Sequence, residues 1–511
     1  MPAPSVTSLL RQGLRYFYGE SHFADFSGGW NIRDAQGELA ANESPDLYNV
    51  TLDERGGIAK RLGYSKYNGS IFQAALVTNT FYWTTGQNQI TQCGAKLYKD
   101  TSTTEFKTFT TTERCGFADF TGLLYFIHPT DGLFTYDGAT VTARAAGPKG
   151  TTLAPWQNKL FAAGDPANKP RVYWSNKGDG TLWTGTDFND LREKDTEIVT
   201  CLTGASGLDI SGRAGLLAFK RRSTYRIFDS GTGQYQTLDA QIGAASSLSV
   251  VNGFQRTVAL GESGIYWTDG VGPMRPASDK IQNLFDPTQI AFAQLDKFCA
   301  GTKGDRMYFS LTRAGQTVNN LELEYHPLQG WIVASSAAAS CYATYGKDDQ
   351  ILYAGSPIAN GQVYRRLTGG SDDGTAIASR FQGRWAEPTG GHQVRVTRAR
   401  VVGRGAFTLD VFTDYQLAPS ISFSVNFASS AGTYDDVASI YDTDDLYGPL
   451  KYQDFRDFPQ LGVMRAISLR FSETSSTSTS GIQILGTGSA PEVGAYGSYG
   501  LSLSYVPLGI N

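Results

Sequence analysis

The chain has 511 residues, a formal net charge of −4, 41% hydrophobic residues and 18% charged residues. A charged share below the usual figure of about a quarter excludes a disordered, highly solvated chain. The balance also lacks the clustered Lys and Arg of a tight phosphate-backbone binder.

Gly 58, Tyr 27 and Phe 28 suit many short strands joined by tight turns. Residues 1–20 read either as a short helix, with Leu9, Leu10, Leu14 and Phe17 near helical spacing, or as an arm. Arg11 follows Leu9 and Leu10 at once, so no apolar core of an export signal is expected. No stretch approaches the roughly 20 apolar residues of a membrane span, and the chain reads as soluble. Residues 26–64 alternate turn signals with short strands. Gly28 with Gly29 and Gly56 with Gly57 are paired breakers, and Pro45 opens a strand running through Tyr48 and Val50.

From 71 to 375 a loose repeat emerges. Each unit is an apolar strand, a Gly/Asp/Asn turn and a second strand with a central aromatic. The pairs are 81–83 with 97–98, 124–127 with 134–136, 160–162 with 172–174, and 216–219 with 225–228. They continue as 258–260 with 265–267, 307–309 with 321–325, and 351–353 with 363–364. Their spacing of roughly 35–55 residues matches four-stranded propeller blades and predicts about six to eight of them. Amphipathic helices between strands are missing, which disfavours a parallel α/β fold. One interruption, DKIQNLF (279–285) and then 287–298, reads as two short helices, with Asp286 as N-cap and Pro287 at the first position of the second. GGSDDG (369–374) reads as a linker. Strands at 393–402, 407–415, 421–427, 465–471 and 482–485 predict a β-sandwich or jelly-roll-like domain over 376–511, with SETSSTSTSG (472–481) as a solvated loop. The expected fold is therefore all-β, with few short helices: an N-terminal arm and strand segment (1–70), a β-propeller (71–375) and the sandwich-like domain.

Candidate chemistry is sparse. Cys93, Cys115, Cys201, Cys299 and Cys341 are odd in number and far apart, and read as buried reduced thiols made in a reducing cytoplasm. His22, His128, His326 and His392 show no metal-ligand spacing. Asp372–Asp373 and Asp442, Asp444 and Asp445 resemble fragments of cation loops but lack an EF-hand's Gly and distal Glu, and read as solvated turns. Asp165, Asp179, Glu262 and Asp269 are the carboxylates open to a glycosidase pair at a propeller axis. Lys220, Arg221 and Arg222 read as a blade-edge turn, a DNA-facing patch or an inter-subunit contact. Trp331, Trp83, Trp174 and Trp267 read as packing anchors. No catalytic, cofactor-binding or metal-binding residue is assigned, and no cofactor is expected.

Residues 26–64 also carry a resemblance. Gly28–Gly29 through Asn31, the stretch Asn42 to Val50 (NESPDLYNV) and Gly56 to Gly63 (GGIAKRLG) resemble the N-terminal signature of β-propeller tail proteins of tailed bacteriophages. ALGESGIYWTDG (259–270), SDKIQNLF (278–285), RMYFSL (306–311) and LEYHPLQGW (323–331) are similar to their middle blades. The resemblance covers about two thirds of the chain, and it is to the tail hub, nozzle and minor tail proteins. It implies a non-enzymatic structural protein of the virion. It further implies a homo-oligomeric ring, commonly a hexamer, beneath the head-to-tail adaptor. Tail fibres or a needle would dock on this ring, and double-stranded DNA would cross its lumen without sequence-specific binding. The alternative is a tail-associated propeller that binds or degrades host polysaccharide.

Overall fold

A computed structural model describes residues 19–23, 26–52, 57–192, 196–208, 214–345, 351–387, 393–401, 403–427, 453–457, 464–475, 483–484 and 501–507. The expectations for residues 1–18, His392 and Asp442 to Asp445, and most of 472–481, lie outside the described residues. The chain divides into two compact units, 62–375 and 1–61 with 376–511. The first is inserted into the second, the chain crossing at 61/62 and returning at 375/376.

The described residues of 62–375 form a seven-bladed β-propeller of four-stranded antiparallel sheets. Blade 1 comprises Val77–Trp83, Asn88–Cys93, Lys96–Lys99 and Glu105–Thr108. Blades 2 to 6 follow with inner strands Gly116–Phe120, Thr152–Trp156, Val199–Leu208, Val250–Gly253 and Cys299–Lys303. Blade 7 is Tyr342–Tyr345, Ile351–Gly355 and Val363–Arg366, and its outermost strand is Tyr64–Lys66, from the start of the unit. Each inner strand packs beside the next, and the last packs beside the first, so the ring is closed.

Alternation explains the packing. Along each central strand, successive side chains enter the two faces of a blade, and both faces are covered by neighbouring blades. The apolar layers therefore lie between blades. Trp83, Leu97, Phe117, Phe126 and Tyr136 fill the layer between blades 1 and 2. Trp156, Phe161, Trp174, Leu216 and Tyr225 fill that between blades 3 and 4.

Six of the seven expected pairs are the second and third strands of their blades. The first pair is corrected: 81–83 and 97–98 belong to strands one and three, and Asn88–Cys93 runs between them. That strand, NQITQC, is polar in sequence yet buried, because its side chains are hydrogen-bonded inside. Gln92 Nε2 donates to Glu113 O at 2.7 Å, and the Cys115 amide donates to Gln92 Oε1 at 2.9 Å.

The helical interruption is also corrected. Both helices are 3-10, at Asp279–Phe285 and Phe292–Lys297. Asp286 is not an N-cap: its carboxylate accepts from the Thr288 amide at 2.8 Å and the Thr288 hydroxyl at 2.7 Å, closing a turn before the second helix. Residues 369–374 are pinned and not a free linker. The Gly63 amide donates to Gly369 O and the Asp373 amide to Tyr64 O, so the segment lies along the closing strand.

The second unit is all β. Asp46–Tyr48, Thr375–Gln382, Ile467–Ser475, Gly403–Thr413 and Ile421–Phe427 pair in that order as an antiparallel sheet. Its buried face holds Ile377, Phe381, Leu409, Val411, Leu469 and Phe471, with Phe381 stacked on Phe471 at 4.5 Å. Gly19–Phe23, Leu501–Pro507, Val394–Val401 and Gln453–Asp457 form another sheet.

Candidate interaction surface

The residues that carry the N-terminal resemblance fold as one hydrogen-bonded knot. The Gly28 amide donates to Asn42 O at 2.9 Å, and a Cβ at Gly28 would sit 2.6 Å from that oxygen, so only glycine fits. Trp30 Nε1 donates to Pro45 O at 3.0 Å, and buried Asn31 donates to Glu43 at 2.9 Å. Asn49, at φ 56, donates to Ala378 O at 2.7 Å and accepts from Arg61 Nε at 2.9 Å. Beyond Arg61 the chain runs directly into the closing strand of blade 7.

The four carboxylates considered for catalysis are each used by a local contact. Asp165 accepts from Asn168 Nδ2 at 2.9 Å and Tyr173 Oη at 2.7 Å. Its burial opposes ionisation, but these donors and the Ala167 amide outweigh it and hold the carboxyl below the ordinary range. Thr181 does the same for Asp179, through its hydroxyl and then its amide. The Gly272 and Val271 amides do so for Asp269. Glu262 pairs with Arg222 at 3.0 Å and Arg221 at 3.5 Å. None of the four stands on an inner strand.

The basic run is split by burial. Lys220 is fully buried and donates to Leu191 O at 2.7 Å, whereas Arg221 and Arg222 form the turn that meets Glu262. Histidines serve turns. His128 and His326 each precede a proline, and each accepts at Nδ1 the amide of the third residue on, Asp131 and Gln329. His22 lies in the strand Gly19–Phe23. Trp331 is 1% exposed beside His326, as a packing anchor should be. Among the described residues no three His, Cys, Asp or Glu are grouped to hold a metal.

All five cysteines are buried and unpaired. Burial pushes the Cys201 thiol up to about 12 and the Cys341 thiol up to about 11. We therefore expect Ellman's reagent at pH 8 to react with none of the five until the chain unfolds. A single fast thiol in the native protein would contradict this.

The two ends of the propeller differ. At the end where inner strands begin, Arg114 donates to Thr78 O at 3.0 Å and to Asp296 O at 2.9 Å. The Arg114 side chain thus links the start of blade 2 to the helical segment before blade 6. The opposite end carries the turns between first and second strands and between third and fourth. Exposed Leu182, Leu208, Phe254 and Leu328 stand there on blades 3, 4, 5 and 6. At the blade 5–6 junction, Arg256 lies 4.2 Å and Arg275 5.0 Å from the Trp267 ring centre. Arg256 Nη1 also donates to Pro327 O, beside Leu328. Sequence reading placed Trp267 among buried anchors, but it is half-buried. The only sequence signal for this cluster was an Arg opening each strand that flanks Trp267, which the isolated strands do not reveal.

The strand pairing defines the class: this is a β-propeller protein with an accompanying all-β domain. No family model and no curated protein matches the chain. Among solved structures it is similar to YCF48 from Cyanidioschyzon merolae, at 8% identity and a TM-score of 0.35, over 60% of this chain and 98% of that one.

Proposed function

We propose that this chain is a structural subunit of a bacteriophage tail, a hub or nozzle protein that assembles into a ring around the path of the genome. The observation that supports it best is the hydrogen-bonded knot formed by residues 28–52 and 57–61. The N-terminal residues behind the tail-protein resemblance are tied together by hydrogen bonds, and the chain leads from them into the strand that closes the propeller.

In this reading the ring is a homo-oligomer, commonly a hexamer, and DNA crosses the bore between subunits. A closed ring repeats one interface by cyclic symmetry. The mild negative charge, −4 over the chain, repels the strand and lets it slide. The head-to-tail adaptor lies on one side and fibres or a needle on the other. The protein is made in the host cytoplasm and works in the virion tail.

The test is electron microscopy of the purified protein together with antibody labelling of virions. Rings, and label on the tail, are expected. Monomers at every concentration, together with unlabelled tails, would overturn the proposal.

A further inference from the structure

We propose that the turn end of the propeller at the blade 5–6 junction docks an acidic peptide segment of a partner protein, one that carries an apolar anchor residue. The proposal stands on the propeller alone and does not need the tail assignment.

Three observations converge on this surface. The first is charge. Arg256 opens the second strand of blade 5, Trp267 is in the third and Arg275 opens the fourth. Trp267 pairs with Arg275 on one side and with Val258, two residues from Arg256, on the other. The guanidiniums thus reach the indole from both flanking strands, at 4.2 and 5.0 Å. Arg256 is held by Pro327 O, so the guanidinium left to meet a carboxylate is that of Arg275, whose N–H edges stacking does not use. Arg275 is exposed and makes no ion pair among the described residues. Asp269 feels the Arg275 charge without pairing with it, and its carboxylate accepts from the Val271 and Gly272 amides of its own turn at 2.9 and 2.8 Å.

The second is apolar exposure. Leu328, 64% exposed, follows the Pro327 carbonyl that Arg256 holds, and Phe254, 37% exposed, lies two residues before Arg256. Cationic stack and apolar tips therefore share one junction.

The third is strain. Phe254 and Gln255 form the two-residue hairpin tip with φ 52 and 57. Such a turn favours Asn-Gly, because positive φ crowds a side chain. The chain instead places a bulky aromatic there, facing solvent. Strain held at an exposed position marks use of the side chain.

The same geometry disfavours other ligands. A sugar or a nucleic-acid base needs a free aromatic face, and the Trp267 ring is already covered by arginines. A phosphate backbone needs a row of cations, and here there are two beside an ionised Asp269. An aliphatic tip such as Leu328 suits an apolar peptide side chain.

The experiment is a binding titration on the full-length protein. The probe is a labelled twelve-residue peptide of alternating Asp and Glu around a central Leu-Phe pair. Oligo(dT) and an oligosialic acid are run in parallel. We expect micromolar peptide binding that weakens with salt, and weaker or absent binding of the other two. Arg275→Glu should reduce peptide affinity about tenfold or more, the scale of one lost charge-assisted contact. Arg313→Glu, the same charge change on an exposed loop at the other end, should leave it unaltered. The double substitution Phe254→Asn with Gln255→Gly separates use from architecture: it should raise the melting temperature while weakening the peptide. Equal binding by Arg275→Glu, no peptide binding at low salt, or tighter binding of the nucleotide or glycan would each overturn the proposal.

Discussion

Asn68→Ala is expected to destabilise the propeller by about 2–4 kcal/mol, the cost of orphaning buried polar groups at one point. Asn68 has no solvent exposure and sits where the closing strand turns away from blade 7. Its Nδ2 donates to Ser70 O at 2.9 Å and Gly361 O at 3.0 Å, and its Oδ1 accepts from the Val363 amide at 2.8 Å and Gln362 Nε2 at 2.6 Å. One side chain thus holds the returning strand to the strand it completes. Alanine leaves the Val363 N–H without an acceptor in a buried layer. Asn68→Asp keeps the acceptor but turns a carboxylate toward two carbonyls, so it should be no milder. Urea denaturation measures the loss. Hydrogen exchange should show the amides of 64–66 and 363–366 losing protection first, because the seam opens locally before the ring does. A loss below about 0.5 kcal/mol, within the range of a neutral surface change, would mean that the seam is held elsewhere.

The central blade strands were legible because they carry the one pattern a sequence displays strongly, apolar runs broken by turn residues. The 124–127 stretch, LYFI, and 216–219, LLAF, are buried on both faces and could be read at once. The strands that close each blade could not be read. Glu105–Thr108 and Arg275–Pro276 lie at outer edges, where one face meets solvent and length shrinks to a few polar residues. The ring-closing strand Tyr64–Lys66, YSK, is defined by its partner 300 residues later, and no local signal marks it. Asn88–Cys93 was missed for the opposite reason: a polar text became core because amides such as that of Gln92 found fixed partners. The Asp286–Pro287 pair shows a limit of capping rules. An Asp before Pro is good turn chemistry as well as a good helix start, and here Thr288 supplies both donors that settle it as a turn. The arginine–tryptophan surface was invisible for want of neighbours: Arg256, Trp267 and Arg275 meet only when the strands of blade 5 pair, and Leu328 joins them only when blade 6 packs alongside.

A second large effect is expected between blades 6 and 7. Glu322, on Leu321–Tyr325, is 1% exposed and pairs with Arg366, on Val363–Arg366, which is 2% exposed. Tyr342 Oη donates to the same carboxylate, and a hydrogen bond of 2.7 Å joins that hydroxyl to Ser310. Burial, and then the Glu322 charge, push the Tyr342 phenol well up, so it stays a neutral donor. Two further nitrogens of Arg366, Nε and Nη1, have no hydrogen-bond partner. Glu322 is the carboxylate in contact with this guanidinium, and the Asp372 charge adds a smaller attraction. Glu322→Ala should cost about 3–5 kcal/mol, since a charge that has lost its close partner is left in a buried layer. The pair as a whole is another matter: taking both ions out of water offsets much of their attraction. Glu322→Leu with Arg366→Met should accordingly recover most of the loss, and the double-mutant cycle in urea should give a coupling of about 2 kcal/mol or more. Simple additivity of the two single changes would show instead that the charges act independently, each solvated by a route the static packing does not display. The same argument explains why a blade-to-blade ion pair sits next to the seam. A guanidinium that can be satisfied only when blade 7 is aligned with blade 6 penalises every other register of the last blade, so the cost of burial is converted into a single way of closing the ring.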